Sequence, residues 1–563
     1  MAARNLTRST AYGPVTGFSD TYPLRLTSSA NEPADGGKEP VLKWLGIPYA
    51  RAERWKRPEA PAQWTEPREC FEFGSMFPQP PSNTEMLLSK LPGFLLRTHI
   101  PVSEDSHHIN VFTPGDVQEG ETLPVLVWIY GGALNNGTAD RFFYDPTEWI
   151  RDGAKRGQRC IVVTGNYRTN IFGFLAHSDL ASEDPAGLCG NYGLYDCVAM
   201  LEWVQSNIAS FGGDPSKVTA FGQSAGAFLV AQLLVSGKRL FRKAICQSGA
   251  VNTMALRPVD KAYPAYPSIL SSLSIPEAAS PAEKLAALRA ASWQDLLDLH
   301  KASHSFTGLS LALESKEGGT WTSDTMARLR KGEWDEWIEG VVIGVVEDEG
   351  SAFAWGMKLT HPAAYAGYVS QFPSSLQPAI HAKYLRPFSG THPAPDDPAL
   401  DLTTAPGSHI IADQVFVNPV WDQAVAMSGR NEKKRETRTW MYRLETGVEN
   451  VTKYSPVKLG VFHAIDLPLV FNSSSLWAGD AESSDAKTAQ ALGERWFRFA
   501  SEGNPDPSWQ PFTPSAPSQL VFSDAGAVEN VSLADFEADK LELFFEGHEQ
   551  EGAGEELLGH ENE

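Results

Sequence analysis

The feature that most constrains the fold of this chain is a set of short apolar runs rich in β-branched residues. Runs of this length without polar alternation are typical of strands buried on both faces, and dozens of residues separate successive runs. The sequence therefore predicts an α/β fold in which a central, mostly parallel sheet is flanked by helices. The runs are VLVWIY (125–130), CIVVTGNY (160–167), VTAFGQ (218–223), KAICQS (243–248), GVVIGVV (340–346) and TWMYRLE (439–445).

The length of 563 residues fits several domains or one large α/β domain with insertions. We predict a single domain over residues 1–545. Helical patterns between predicted strands indicate cap insertions near 258–338 and 361–410. The stretch 545–563 holds seven acidic residues and no Lys or Arg, so the tail 546–563 is predicted to be disordered.

A formal net charge of −22 offers no basic face for nucleic acid or anionic lipid. No run reaches the roughly 18 apolar residues of a membrane span. The start, MAARNLTRSTAYGPVTGFSD, lacks the apolar stretch of a secretory signal. We therefore expect a cytoplasmic protein with no nucleic-acid partner and no membrane span.

The five cysteines are widely spread and show neither CxxC nor Cys/His ligand spacing, so reduced, mostly buried thiols are expected.

The adjacent His107 and His108 suggest metal ligation at first sight. Neighbouring side chains on a strand point to opposite faces, however, and the two rings cannot easily share one ion. No metal site is expected.

Residues 222–226 read GQSAG and match G-x-S-x-G, a sharp strand-to-helix turn that lifts a serine hydroxyl clear of the backbone. VTAF before it predicts a strand, and AFLVAQLLVSG after it predicts a helix that stops at Gly237. The turn strains the serine and brings the chain close to itself two residues on either side, where only small residues fit. Ser224 is therefore a candidate nucleophile.

A serine nucleophile needs a base to take its proton and an acid to orient that base. The run GVVIGVV leads directly into EDEGS, which offers Glu347, Asp348 and Glu349 without separating them. Among the later histidines, His463 is the favoured candidate for the base, because it lies in a glycine-preceded loop flanked by apolar residues. The alternative is a histidine that is packed there for structural reasons alone. The others lie in proline-rich or polar connections or in the tail: His361, His381, His392, His409, His548 and His560.

Longer stretches resemble the type-B carboxylesterase/lipase family of α/β-hydrolases, which includes cholinesterases, fungal lipases and the catalytically silent neuroligins. The resemblance runs in family order from about residue 13 to 545. It rests on GIPYA (46–50), SEDSHHINVFTP (103–114), VWIYGGALNNG (127–137), GNYGLYDCVAMLEWVQSNIASFGGDPSKVTAFGQSAGA (190–227), EDEGSAF (347–353), GVFHAIDLPLVF (460–471) and RWFRFASEGNPDPSW (495–509).

The resemblance implies a catalytic triad. Carried over residue by residue, it makes Ser224 the nucleophile, Glu349 the acid and His463 the general base. It also implies that Ser248, in CQSGA, hydrogen-bonds the acid.

The resemblance further implies an oxyanion hole built from the main-chain N–H groups of Gly132, Ala133 and Ala225. Ala133 stands where the family usually has a third glycine, and a main-chain donor survives that change. Phe353 and Trp355, just after the acid, could line an acyl or alcohol pocket, with core packing as the alternative.

Departures from the family pattern narrow the range of expected substrates and indicate the cellular compartment. Gln223 stands where a glutamate is often found, which removes a negative charge that would favour a cationic substrate. No tryptophan lies between Trp64 and Ser103 to hold a quaternary ammonium, so choline esters are not expected. The family's first disulfide would join Cys70 to the position of Ser106, and this bridge cannot form.

Two ion pairs are also implied by the resemblance, Arg54 with Glu104 and Arg168 with Asp196. Their expected role is structural, because a bidentate arginine pair pins a loop near a site without doing chemistry.

The expected mechanism is two-step acyl transfer without a cofactor, and the expected partner is a small-molecule ester. Hydrolysis of apolar carboxylic esters ranks first. A biosynthetic acyltransferase or a lactone-forming or lactone-opening enzyme would use the same triad, and a non-catalytic scaffold would have a broken one.

A monomer or weak homodimer is expected, since a predicted helix at 533–545 could pair with another copy or pack on its own domain.

Overall fold

The protein is described by a computed structural model. The predicted tail and parts of both predicted cap insertions lie outside the residues that the structure describes. These are 6–20, 39–82, 100–117, 120–140, 144–184, 186–303, 309–315, 318–384, 400–430, 436–473, 482–536, 540, 541 and 543.

The strands, in chain order, are β1 (Thr7–Ser9), β2 (Pro14–Thr16), β3 (Phe18–Asp20), β4 (Val41–Pro48), β5 (Arg68–Glu69), β6 (His108–Pro114), β7 (Leu123–Ile129), β8 (Ile161–Gly165), β9 (Gly213–Gln223), β10 (Lys243–Gln247), β11 (Leu256–Pro258), β12 (Leu311–Leu313), β13 (Gly340–Val346), β14 (Gly429–Arg430), β15 (Glu436–Leu444), β16 (Ser518–Phe522) and β17 (Val528–Ser532).

The α-helices are α1 (Thr147–Lys155), α2 (Asn170–Phe174), α3 (Ser178–Ala181), α4 (Tyr192–Asn207), α5 (Ala225–Gln232), α6 (Val259–Ala262), α7 (Tyr266–Ser272), α8 (Pro281–Ala290), α9 (Trp293–Ser303), α10 (Thr325–Arg330), α11 (Ser351–Gly356), α12 (Pro362–Val369), α13 (Gln377–Tyr384), α14 (Pro406–Ile411), α15 (Asn418–Met427), α16 (Glu449–Tyr454), α17 (Leu467–Val470) and α18 (Ser484–Glu502). A π-helical turn, Ala412–Val417, joins α14 to α15.

One large sheet forms the centre of the molecule, in the order β17-β16-β15-β13-β10-β9-β7-β8-β6-β4-β3. The strands from β16 to β8 along this order are parallel, and antiparallel strands close both edges. All six predicted strands lie in the parallel part. The remaining parallel strand, β16, is not predicted, because the apolar part of SQLVF is too short to distinguish from a loop.

Helices cover the sheet on both sides. Helix α18 packs on β7 and β9 and contacts α1, which packs on β4 and β6, while α5 packs on β7 and β9 from the other side. Every residue of β7 and β13 is buried, which is why these runs show no polar alternation. The sheet and its helices enclose the hydrophobic core.

The segment between β10 and β13 holds the helices α6 to α10 and a two-stranded parallel pair of β11 with β12. Helices were predicted here, and the strand pair was not. The guanidinium of Arg54 donates to the carbonyls of Leu288, Arg289 and Ala291 at the end of α8. An arginine of the N-terminal region therefore holds this insertion to the rest of the protein.

All five cysteines are free and buried. Burial raises the pKa of the Cys160 and Cys246 thiols to about 12, so neither is reactive at neutral pH. The Ser106 hydroxyl, in place of a cysteine, lies 2.8 Å from the Ser75 hydroxyl. Cys70 forms no disulfide, as its missing partner predicts.

Candidate active site

Ser224 lies on the turn between β9 and α5, the strand, turn and helix that the sequence predicts. Its backbone has φ 60° and ψ −128°, a conformation that a serine keeps only where its surroundings enforce it. Its N–H donates to the Gln247 carbonyl at 2.8 Å, and its carbonyl accepts from the Phe228 N–H at 2.9 Å. Both sides of the turn are thus held, and the half-buried serine sits at the carboxyl end of the sheet.

The two glycines of the motif are required by close approach of the backbone. A Cβ on Gly222 would lie 2.6 Å from the carbonyl carbon of Gly226, and a Cβ on Gly226 would lie 2.1 Å from the carbonyl oxygen of Ile129. Real Cβ atoms do not approach that closely. The predicted clash on either side of Ser224 is therefore present.

His463 and Glu349 meet beside this turn. Nδ1 of His463 is 2.5 Å from Oε2 of Glu349, and the Glu349 side chain is fully buried. Its other oxygen, Oε1, accepts the Val346 N–H at 2.9 Å. A buried carboxylate held in this way fixes the orientation of the imidazole ring.

The structure separates the three acids that the sequence leaves open. Glu347 lies near the surface, 3.5 Å from the Arg443 guanidinium. Asp348 accepts a hydrogen bond from the Val461 N–H at 2.8 Å, and this bond holds the loop that carries His463. Burial raises the pKa of both Glu347 and Asp348, but only Glu349 reaches the ring.

The second ring nitrogen of His463 contacts Gln223. Its Nε2 lies 3.1 Å from the side-chain nitrogen of Gln223. In the described part of the chain the Ser224 hydroxyl makes no hydrogen bond to His463. An amide nitrogen only donates, so Nε2 of His463 is the acceptor and Nδ1 carries the proton toward Glu349. This is the tautomer that a general base needs.

Two phenylalanines flank the His463 ring. The Phe353 ring centroid lies 5.1 Å from it, and that of Phe416 lies 4.4 Å from it. Phe353 is on α11, as is the half-buried Trp355. Phe416 is on the π-helical turn and is not predicted from the sequence, since its distance from His463 along the chain leaves no local signal. Such turns are frequent at functional sites.

The loop after β7 passes directly over Ser224. A Cβ on Gly131 would lie 2.9 Å from Cβ of Ser224. Gly132, Ala133 and Leu134 follow with φ of 115°, 54° and 60°. The N–H groups of Gly132 and Ala133 donate to no acceptor among the described residues, so both remain available to a ligand.

Two buried groups, Ser248 and Asp466, were not correctly anticipated from the sequence. Ser248 is buried, but its hydroxyl makes no hydrogen bond within the described part of the chain, so the predicted bond to the acid is wrong. Asp466, which the sequence does not single out, accepts from the Gln247 amide at 2.6 Å. Burial, opposed by this bond and reinforced by the Glu349 charge, raises the pKa of Asp466 to about 6. The spacing HAID is the local signal that could have indicated it.

Both predicted ion pairs are present. Arg54 contacts Glu104 through two nitrogens, at 2.6 and 2.5 Å, and Arg168 contacts both oxygens of Asp196 at 2.8 Å. Nε2 of His107 is 3.0 Å from Asp196. His107 is therefore, beside Arg168, a partner of the buried Asp196 carboxylate.

The fold and the site together define a class of protein, the α/β-hydrolases. This class combines a mainly parallel sheet with a serine on a strand-to-helix turn, an acid after a later strand and a histidine on a later loop, in this chain order.

Comparison with known proteins is consistent with this class. The model of the carboxylesterase family matches residues 29–532. Para-nitrobenzyl esterase of Bacillus subtilis (strain 168) is 31% identical over 530 residues, covering 90% of this chain and 95% of that protein. Carboxylesterase 1D of Rattus norvegicus is 30% identical over 533 residues, with 88% and 86% covered. Fumonisin B1 esterase of Sphingopyxis macrogoltabida is 29% identical over 527 residues, with 89% and 87% covered.

Solved structures show the same likeness. A PNB esterase superposes with a TM-score of 0.72 at 26% identity, covering 96% of this chain and 100% of that chain. A thermophilic PNB esterase has the same TM-score and identity, with 95% and 99% covered.

The chain belongs to the carboxylesterase family. It is a serine carboxylesterase, a hydrolase of carboxylic esters, and its substrate is a small-molecule ester. The predicted family, fold class and activity are confirmed. Among the residues described, no helix combines the length and apolar character of a membrane span.

Proposed function

We propose that Ser224 is the nucleophile, His463 the general base and Glu349 the acid that orients it. The observation that carries this proposal is the 2.5 Å contact between Nδ1 of His463 and the buried Glu349 carboxylate. It supports a ring whose unprotonated nitrogen, Nε2, is directed at the Gln223–Ser224 turn. The strained backbone of Ser224 supports a role that packing alone would not require.

The reaction begins when the Gln223 amide releases Nε2 of His463 and the Ser224 hydroxyl takes its place. The serine oxygen then attacks the ester carbonyl carbon while His463 accepts its proton. The tetrahedral intermediate expels the alcohol, which takes that proton from His463. Water, activated by the same base, attacks the acyl-enzyme and releases the acid, restoring Ser224. Every step uses groups of this chain, the ester and water.

The N–H groups of Gly132, Ala133 and Ala225 bind the oxyanion in this proposal. The support is that Gly132 and Ala133 donate to no other described group, while Ala225 is the first residue of α5, where an N–H has no partner within the helix. Donors held in advance at the developing charge are worth about 10²- to 10³-fold each in rate.

The proposed substrates are apolar, uncharged carboxylic esters. Phe353 and Phe416 beside the His463 ring support this preference because they offer apolar surface. The neutral Gln223 supports it as well, because it offers no carboxylate for a cationic alcohol group. The para-nitrobenzyl esterase among the relatives makes aryl and benzyl esters a reasonable first series. The proposed organisation is one domain over 1–545, acting as a monomer or weak homodimer without nucleic acid.

The buried, free cysteines support a reducing compartment, and we propose the cytoplasm.

The test is a series of p-nitrophenyl esters of rising acyl-chain length, assayed with the wild type and Ser224→Ala. We expect an initial burst of p-nitrophenol from the wild type and a loss of at least about 10⁴-fold in kcat in the variant. Full activity in Ser224→Ala would contradict the proposed mechanism. Added alcohols separate hydrolysis from acyl transfer, because a transferase would form the new ester even at low alcohol concentration.

A further inference from the structure

A histidine of the insertion between β10 and β13 reaches the loop that carries the proposed oxyanion hole. His300 lies on α9 and is 1% exposed. Its Nε2 is 2.7 Å from Oδ1 of Asn135, and its Nδ1 is 2.7 Å from the hydroxyl oxygen of Tyr263. One ring nitrogen therefore faces the insertion and the other faces the loop after β7.

These hydrogen bonds have a single direction. An amide oxygen only accepts, so Nε2 of His300 donates to Asn135. With its single proton on Nε2, a neutral imidazole presents Nδ1 as an acceptor, so the Tyr263 hydroxyl donates to Nδ1 of His300. The hydrogen bond to Asn135 therefore selects the Nε2–H tautomer of the neutral His300 ring, and the contact with Tyr263 fits that tautomer.

Asn135 is joined to the residues whose N–H groups form the proposed hole. Its own N–H donates to the Gly132 carbonyl at 2.9 Å, and its carbonyl accepts from the Asn170 side chain at 3.1 Å. Between Gly132 and Asn135 the chain passes through two consecutive non-glycine residues at positive φ, Ala133 and Leu134. Backbone of this kind persists only where the surroundings hold it.

We propose that His300 is a positioning residue for the oxyanion hole, an inference that rests on the proposed function. By holding the Asn135 side chain from α9, it keeps the peptide groups of Gly132 and Ala133 aimed at the oxyanion. The insertion therefore takes part in rate enhancement. A misplacement of about 1 Å in such a group costs about 100-fold in rate.

The test compares His300→Phe, which keeps an aromatic ring but removes the donor, with His300→Gln, which keeps a donor near the position of Nε2. We expect His300→Phe to lower kcat for p-nitrophenyl butyrate by about 10- to 100-fold, with KM changed by less than about threefold. His300→Gln should recover most of that loss. Lys301→Gln, on the exposed face of α9, is the control and should match the wild type.

A second measurement separates positioning from folding. A trifluoromethyl ketone forms a hemiketal with Ser224 whose oxyanion lies in the hole, so its affinity should fall in parallel with kcat/KM across the variants. Asn135→Leu should reproduce the His300→Phe loss, and the double variant should lose little more than either. This variant also serves as the test if His300→Phe does not fold.

Equal losses in His300→Phe and His300→Gln, or a loss in KM alone, would overturn the inference. So would an unchanged ketone affinity in a variant whose kcat has fallen. These outcomes differ from failure of the proposed function, which would show as activity retained in Ser224→Ala. Wild-type kcat in His300→Phe, with Ser224 still essential, would remove only the role of His300.

Discussion

The side-chain nitrogen of Gln223 lies 3.1 Å from Nε2 of His463, so the residue preceding the proposed nucleophile occupies the atom that the proposed base uses. The hydrogen bond that it donates must break before Ser224 can give up its proton. A neutral hydrogen bond contributes about 0.5–1.5 kcal/mol net. In the proposed mechanism, Gln223 therefore stabilises the resting state of His463 and opposes the first step.

Replacing Gln223 by methionine, which is of similar length but has no donor, should raise kcat/KM by about two- to tenfold because the competing hydrogen bond is lost. Steady-state kinetics with p-nitrophenyl esters measure this. Gln223→Glu is the matched control: its carboxylate favours the protonated ring and should move the acid limb of the pH–rate profile to higher pH. A decrease of kcat/KM in Gln223→Met would contradict the competition.

Substituting Glu349 by glutamine should lower kcat by about 10³- to 10⁴-fold, because the carboxylate that fixes the ring of His463 and stabilises its charged form is lost. The matched control is Glu347→Gln, two residues earlier on the same turn. It should retain activity within about twofold, since Glu347 contacts Arg443 near the surface. Equal losses in the two variants would contradict the choice of acid that the structure makes.

The buried Asp466 makes stability depend on pH. Its pKa is raised to about 6 from an unfolded value of about 3.9, so the folded state binds more protons between these values. The free energy of unfolding therefore falls as pH rises through this window. The difference of about two pH units corresponds to about 3 kcal/mol, present below pH 4 and lost above pH 6.

Asp466→Asn removes this ionisation while keeping an acceptor for Gln247. Its free energy of unfolding relative to the wild type should therefore rise by about 3 kcal/mol from pH 4 to pH 7. Urea denaturation at both pH values measures the change. Asp466 would not be the titrating group if the difference between variant and wild type were the same at both.

The Arg168–Asp196 pair is a buried structural contact. Although burial opposes ionisation, Arg168 and His107 hold the pKa of Asp196 well below its usual range. Removing one partner leaves a buried charge without compensation, so Arg168→Met should lower the free energy of unfolding by about 3–5 kcal/mol.

The control for this prediction is Lys238→Met, which breaks an ion pair with Glu202 at 2.5 Å whose two side chains are each 50% exposed. Lys238→Met should lower the free energy of unfolding by less than about 1 kcal/mol, because water screens an exposed ion pair. Denaturant unfolding compares the two variants. Similar losses in both would show that burial does not set the energy of these pairs.

The amino-acid sequence alone determined the parallel sheet and the turn at Ser224. Both depend on local physics: unbroken apolar runs indicate strands buried on two faces, and the glycines at 222 and 226 are needed wherever such a turn approaches β7. His463 could be favoured for the same reason, because its loop is flanked by apolar residues. Resemblance to a family then supplied the choice of Glu349 and the oxyanion-hole residues.

Only the tertiary structure decided which groups meet across long stretches of chain. Gln223 lies 240 residues from His463 along the sequence, and His300 lies 165 residues from Asn135, so no local pattern links either pair. Ser248, expected to bond the acid, is buried, and its hydroxyl has no hydrogen-bond partner among the described residues. Side-chain direction is set by packing among neighbours that the sequence does not place together, and it was packing that brought Phe416 to the ring of His463.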